Sequence, residues 1–263
     1  MYSVSVVVVF MGLVRGLNTC QVFDEYLDYV NITELGVAAL ENNADAVDDL
    51  VKNGCDVNYN GTGIRLINMK YVHEDQKVED YTYNYNYDEY EYDEDDFTVV
   101  YGETALNIAI HEGSIEVIKK LVNAPGINLD AKSGGGETAL HNAASYGLTD
   151  VIEILDKAGV DLESVNTEGF TPLQTAAMYG EVESLRVLSR LGAVMDRVGG
   201  RGMATPLIMA VQMGFMDVVQ LLVEMGANQV IKDEAGKTAR DWALKLDDKD
   251  MLLELDNTSN NKV

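Results

Sequence analysis

Apolar positions recur along this chain on two nested periods. Within short segments they fall at helical spacing, as in Val151, Ile152 and Leu155, or Val218, Val219 and Leu222. That is the stripe an amphipathic helix buries. Over longer distances the pattern returns every 33 or 34 residues, at Thr104, Thr138, Thr171, Thr205 and Thr238. The words that follow match: TALNIAIHEG, TALHNAASYG, TPLQTAAMYG, TPLIMAVQMG and TARDWALKLD. A Leu and often a second Gly follow each word, as in Leu155 to Gly159 and Leu188 to Gly192. A helix–turn–helix unit repeated at fixed length predicts a mainly α solenoid in which each unit buries its apolar face against its neighbours.

Each recurring residue has a physical task. Thr supplies an N-cap oxygen, and Pro172 and Pro206 take the first helical position, where a missing N–H costs nothing. Ala143, Ala144, Ala176 and Ala177 allow close approach of neighbouring helices. Gly113, Gly147, Gly180 and Gly214 are placed to end the first helix in a left-handed cap.

These words resemble the ankyrin-repeat family, most closely in GETALHNAASYG (136–147), GFTPLQTAAMYG (169–180) and the endings GVDLESVN and GANQVIKD. The resemblance covers about Asn31 to Asp256, with one interruption. A degenerate first repeat spans 31–58, with Thr33, Leu35, Ala38, Ala39, Leu50, Gly54, Val57 and Asn58 in register and Asn42 where Gly is usual. Repeats two to six span 102–256. Trp242 and Ala243 face inward in the last unit, while Asp247, Asp248, Lys249 and Asp250 form a polar cap. Residues 17–30, with Val22, Phe23, Tyr26, Leu27 and Val30 at helical spacing, are expected to cap the other end. Residues 257–263 are expected to be a disordered tail.

The interruption lies between Thr33 and Thr104, which are 71 residues apart where one period suffices. The excess falls at 59–101. Within it, 74–96 holds 11 acidic residues and only Lys77 among basic ones, with tyrosines at 81, 83, 85, 87, 90 and 92. The alternation has strand period, yet charges this dense repel and favour an extended, solvated loop. Three roles fit: a solubilising insertion, an acidic docking strip with Tyr contact area, and calcium binding at Asp93 to Asp96. The last lacks the spacing of a calcium loop. Arg186, Arg190, Arg197 and Arg201 cluster in the fourth repeat, as a solvated face or as a surface onto which the acidic loop folds back.

Composition narrows the partners. With 44 acids against 19 bases the formal net charge is −25. Nucleic acid and anionic lipid surfaces are therefore disfavoured, and a basic protein stays open as a partner. Residues 1–16 carry an uncharged run, Val4 to Val14, of signal-peptide length and too short to span a bilayer, with a small-residue cleavage point at Gly16. No transmembrane anchor is expected. Secretion is the preferred localisation, and the alternative is a cytoplasmic or nuclear inhibitor or adaptor whose apolar N-terminus is structural. Glycosylation sequons begin at Asn31, Asn60 and Asn257. In an oxidising compartment Cys20 and Cys55 could pair, and the other reading is two free buried thiols. Once secreted, acid-flanked Tyr90 and Tyr92 resemble sulfation sites.

No catalytic, cofactor or metal motif appears, and a non-catalytic monomeric protein-binding module is expected. His141 sits in the register that the family uses for bonding between repeats, so a structural role is expected. The resemblance also places partner contacts on the concave face, just before the Thr and just before the Gly. Those positions are Tyr101, Glu103, His111 and Glu112 in the second repeat, then Glu137, Ser145 and Tyr146 in the third. They continue as Phe170, Met178 and Tyr179 in the fourth, and Gln212 and Met213 in the fifth. Phe170, Tyr146, Met178, Tyr179 and Met213 would form an aromatic and thioether stripe of the kind found at binding hot spots.

Overall fold

The computed structural model describes residues 34–58, 64–66, 98–100 and 103–259, and the side chains of 35–58 and 103–256. Among the described residues the helices come in six pairs. The first pair is α1 (Glu34–Leu40) and α2 (Ala44–Lys52). The second, α3 (Ala105–His111) and α4 (Ile115–Val122), precedes α5 (Ala139–Ser145) with α6 (Thr149–Ala158). Then come α7 (Pro172–Tyr179) with α8 (Val182–Leu191), α9 (Pro206–Met213) with α10 (Met216–Glu224), and α11 (Ala239–Lys245) with α12 (Lys249–Ser259). The mainly helical solenoid expected from the repeat is the fold observed.

The chain marks both ends of each first helix. Thr104, Thr171, Thr205 and Thr238 accept from the backbone N–H three residues on, at 3.1 to 3.3 Å. Thr171 with Gln174, and Thr238 with Asp241, complete reciprocal capping boxes. At the far end, Gly113, Gly147, Gly180 and Gly214 have positive φ. Asn42 and Asp247 take that conformation in the first and last units, as the residue types that tolerate it best after Gly.

The first helices form one layer and the second helices another. Contacts between successive first helices are more extensive than those between successive second helices. The first-helix layer is therefore the tighter one, which curves the array so that this layer lies on the concave side. The continuous core contains Ile110, Leu140, Ile152, Leu173, Leu188 and Leu222, each fully or almost fully buried. The hairpins between pairs are tied in series: Thr167 N–H donates to Gly136 O at 3.1 Å, Gly200 N–H to Gly169 O at 2.9 Å, and Glu234 N–H to Gly202 O at 2.9 Å.

The insertion does not interrupt the stack. α1 packs on α3 and α2 on α4 as in any other neighbouring units. Asn58 Nδ2 donates to Gly126 O at 2.8 Å, Asn58 Oδ1 accepts from Asn128 N–H at 2.6 Å, and Lys120 pairs with Asp48 across the same junction. At the base of the insertion, β1 (Ile64–Leu66) pairs antiparallel with β2 (Thr98–Val100), with Ile64 opposite Val100. Both strands fall inside the 59–101 insertion and outside its acidic stretch, in the words IRL and TVV, whose strand propensity favours pairing. Residues 67–97, with Tyr90 and Tyr92, lie outside the described residues.

Three further expectations meet the described boundaries. α12 runs to Ser259, three residues into the expected tail and through Asn257, because no Gly or Pro stops it after Asp256. Residues 1–33, with Asn31, Cys20 and the signal-like run, lie outside the described residues, as does Asn60. Cys55 is buried and disulfide-bonded, and no described cysteine is a free thiol.

Candidate functional site

In the third and fourth repeats the residue three positions after the capping Thr ties one repeat to the next. In the third repeat it is His141, fully buried, with Nδ1 2.7 Å from Thr138 Oγ1 and Nε2 2.8 Å from Phe170 O. A carbonyl accepts only, so Nε2 carries the proton and the Thr138 hydroxyl donates to Nδ1. Burial pushes the imidazole down to about 4, against the opposing pull of the Phe170 carbonyl. In the fourth repeat the same position is Gln174, whose Nε2 donates to Arg197 O at 3.1 Å and Ala204 O at 2.9 Å. His141 thus has the structural role expected of it.

In the second repeat this position is Asn107, and the bridge fails. Asn107 is 1 % exposed, yet neither its Nδ2 nor its Oδ1 has a hydrogen-bond partner of normal geometry. An Asn side chain is shorter than His or Gln and does not reach the following hairpin. Beside it, Glu103 Oε2 is also buried and unpartnered. These groups floor a notch on the concave side, walled by Ile108, Asn142 and Tyr146 and rimmed by His111 and Glu112. The His111 ring meets the Tyr146 ring edge-on at 5.8 Å, and His111 Nδ1 lies 3.5 Å from Glu112 Oε1.

The notch is short of positive charge. Burial raises Glu103 to about 7, with the nearby Asn107 amide pulling it down and Glu137 pushing it further up. Burial also raises Glu137 to about 7, opposed by the 2.8 Å hydrogen bond from Asn166 Nδ2 and reinforced by Glu168, while Lys132 lowers it. No Lys or Arg lines the notch.

The expected contact residues divide unevenly. Tyr146 is 45 % and Met213 51 % exposed, His111 is exposed, and Glu103, Glu112, Glu137, Tyr179 and Gln212 are half-buried. Tyr101 lies outside the described residues. Phe170 is corrected: it is 6 % exposed, with its ring against Gly200, where an added β-carbon would come within 1.8 Å of it. The Gly-rich hairpin leaves room for the ring, so it packs inward and offers nothing to a partner. Met178 packs against the core, and the Ser145 hydroxyl is spent on Asn142 O at 3.1 Å, leaving both as minor surface. Phe215 was not anticipated. It is 36 % exposed, and its ring covers Gly180 next to Met213 in sequence.

The arginines of the fourth repeat are already engaged by the scaffold. Arg186 lies 3.7 Å from Glu183, Arg190 2.6 Å from Glu153, Arg197 3.2 Å from Glu163 and Arg201 3.3 Å from Glu168. These exposed pairs describe a solvated, locally neutralised face. Among the described residues no group of three or more His, Cys, Asp or Glu could hold a metal ion, and no helix is long and apolar enough to cross a membrane.

Comparison with curated proteins gives no match. The family model described as ankyrin repeats (3 copies) matches residues 35–162 and 106–199, and the single ankyrin-repeat model matches 204–234. Together with the helix pairs, the capping Thr residues and the serial hairpin bonds, these matches place the chain in the ankyrin-repeat family.

Proposed function

We propose that this protein is a secreted, non-catalytic, monomeric binding module that engages a basic protein partner through its concave face and its acidic tyrosine-rich insertion. Ankyrin repeats are generally protein-interaction modules. The observation that carries the reading is the recurrence of exposed apolar groups at the same register in the third, fifth and sixth repeats, Tyr146, Met213 and Leu246, at 45 %, 51 % and 48 % exposure. Large apolar side chains aligned on one side of a solenoid cost solubility and are kept where a partner covers them. The disulfide at Cys55 supports the extracellular part of the reading, since such bonds persist in oxidising compartments. The three sequons and the acid-flanked Tyr90 and Tyr92 would then be open to glycosylation and sulfation.

A photo-crosslinking residue placed at Tyr146 or Met213, compared with one at Lys157 on the second-helix layer, tests the face. Cross-links to one protein species should form from the first two positions only, and the double variant Tyr146→Ala, Tyr179→Ala should lose the partner while staying folded. Equal yields from both layers would sink the concave-face reading. N-terminal sequencing and intact mass of the natural protein test secretion: a start near Leu17 is expected, and a retained Met1 refutes it.

A further inference from the structure

We propose that the notch between the second and third repeats receives one cationic side chain of the protein partner, arginine or lysine. Its charged head meets the Glu103 carboxylate and Asn107 Oδ1, and its stem lies along Tyr146. This rests on the reading of the concave face as a protein-binding surface and names what that surface recognises.

Three polar atoms at the notch, Glu103 Oε2 and both amide atoms of Asn107, are buried without a hydrogen bond of normal geometry, and the Glu103 carboxyl and the Asn107 amide have only each other close by. Native proteins leave few such atoms, because each forfeits its solvation with nothing in return. Two of the three are acceptors, and one cation satisfies both. Ionised Glu103 then offers its other oxygen to Asn107 Nδ2, which accounts for the third. A water could bond to the amide but would leave the carboxylate uncompensated. The walls fit a long basic side chain. The Tyr146 ring at the mouth, 45 % exposed, offers apolar area to methylenes and a π-face to an ammonium or guanidinium. The registers occupied by His141 and Gln174 are closed by bonds to the next hairpin, the fifth-repeat register holds the apolar Ile208, and the shorter Asn107 is the polar residue that leaves its register open among these.

The test uses the full chain and three capped tripeptides, Gly-Arg-Gly, Gly-Lys-Gly and Gly-citrulline-Gly, titrated by NMR. The cationic peptides should give saturable amide shifts confined to residues 103–112 and 137–147, and the neutral citrulline peptide none. Glu103→Gln should weaken the cationic peptides about tenfold, the scale of one charge-assisted hydrogen bond. Asn107→His, which fills the notch with the side chain used in the next repeat, should also weaken them while raising the melting temperature, so loss of binding is separated from loss of fold. Equal binding of citrulline, shifts spread over the acidic surface without saturation, or an unchanged affinity in Glu103→Gln would each overturn the proposal. Failure here with concave-face cross-linking intact removes the notch alone. Tripeptide binding without that cross-linking removes the wider reading alone.

Discussion

Replacing His141 with Asn would recreate in the third repeat the defect that Asn107 makes in the second. His141→Asn removes the 2.8 Å bond from Nε2 to Phe170 O. The carbonyl is not orphaned, because Asn166 N–H also donates to it at 2.9 Å. The cost therefore lies mainly in the lost bond, about 1 kcal/mol, and in the newly buried unpartnered amide, about 1–3 kcal/mol. The variant should be about 2–4 kcal/mol less stable in urea unfolding at pH 7.5. The loss must also depend on pH. The folded imidazole titrates at about 4 against an ordinary value of 6.5. The neutral ring is thus favoured by folding, its stabilisation is complete above pH 6.5, and it is lost as pH falls from 6.5 towards 4. The difference amounts to about 3 kcal/mol. The Asn variant has no such term, and every other titrating group is common to both proteins. The stability gap should therefore close almost completely between pH 7.5 and pH 4. A gap that stays constant across that range would refute the assignment of a buried, neutral, bridging His141.

Glu137 should behave in the opposite sense. Its folded value is raised from 4.5 to about 7, so the carboxyl favours the fold fully below pH 4.5 and opposes it as pH rises through 7. Glu137→Gln, which keeps an oxygen for Asn166, should raise the melting temperature at pH 8.5 by the equivalent of about 2–3 kcal/mol and change it little at pH 4.5. Gly200→Ala should cost at least about 2 kcal/mol in urea unfolding, because its φ of +69° strains an L-residue and its β-carbon would lie 1.8 Å from the Phe170 ring. Gln174→Ala removes one half of a capping box and two bonds to the next repeat, and should cost about 2–4 kcal/mol by the same measurement.

The fold was legible in the sequence because a solenoid is specified locally. Thr at the N-cap, Gly at the left-handed cap and alanines between helices are each short-range choices, and repetition aligned them. The register of the degenerate first unit could be read the same way, with Asn42 adopting the left-handed conformation in place of Gly. The surface was less legible, because exposure depends on the neighbouring unit. The place of Phe170 before Thr171 predicts an exposed ring, but the fit of that ring depends on Gly200, thirty residues on. Asn107 carried a visible signal, Asn in TALNIA where the next repeat has His in TALHNA. Its consequence needed the distance to the following hairpin, which only the stacked structure provides.

The insertion and the notch lie close together along the chain, and they should act on different rates. β2 ends at Val100 and Glu103 follows three residues later in the chain. Residues 74–96 carry a net −10 in sequence, a field that acts on a basic partner before contact and fades within a Debye length of about 8 Å at physiological salt. Glu103 is half-buried in the lining of the notch and acts only after contact. Deleting 74–96 should therefore slow association and flatten its dependence on salt, with dissociation little changed. Glu103→Gln should leave association and its salt dependence nearly unchanged and speed dissociation about tenfold. Surface plasmon resonance against the cross-linked partner, from 50 to 500 mM salt, separates the two. A deletion that altered only dissociation would show that the arm is a contact surface rather than a steering field. A Glu103→Gln variant that slowed association would place that carboxylate in the long-range field instead of at the floor of a notch.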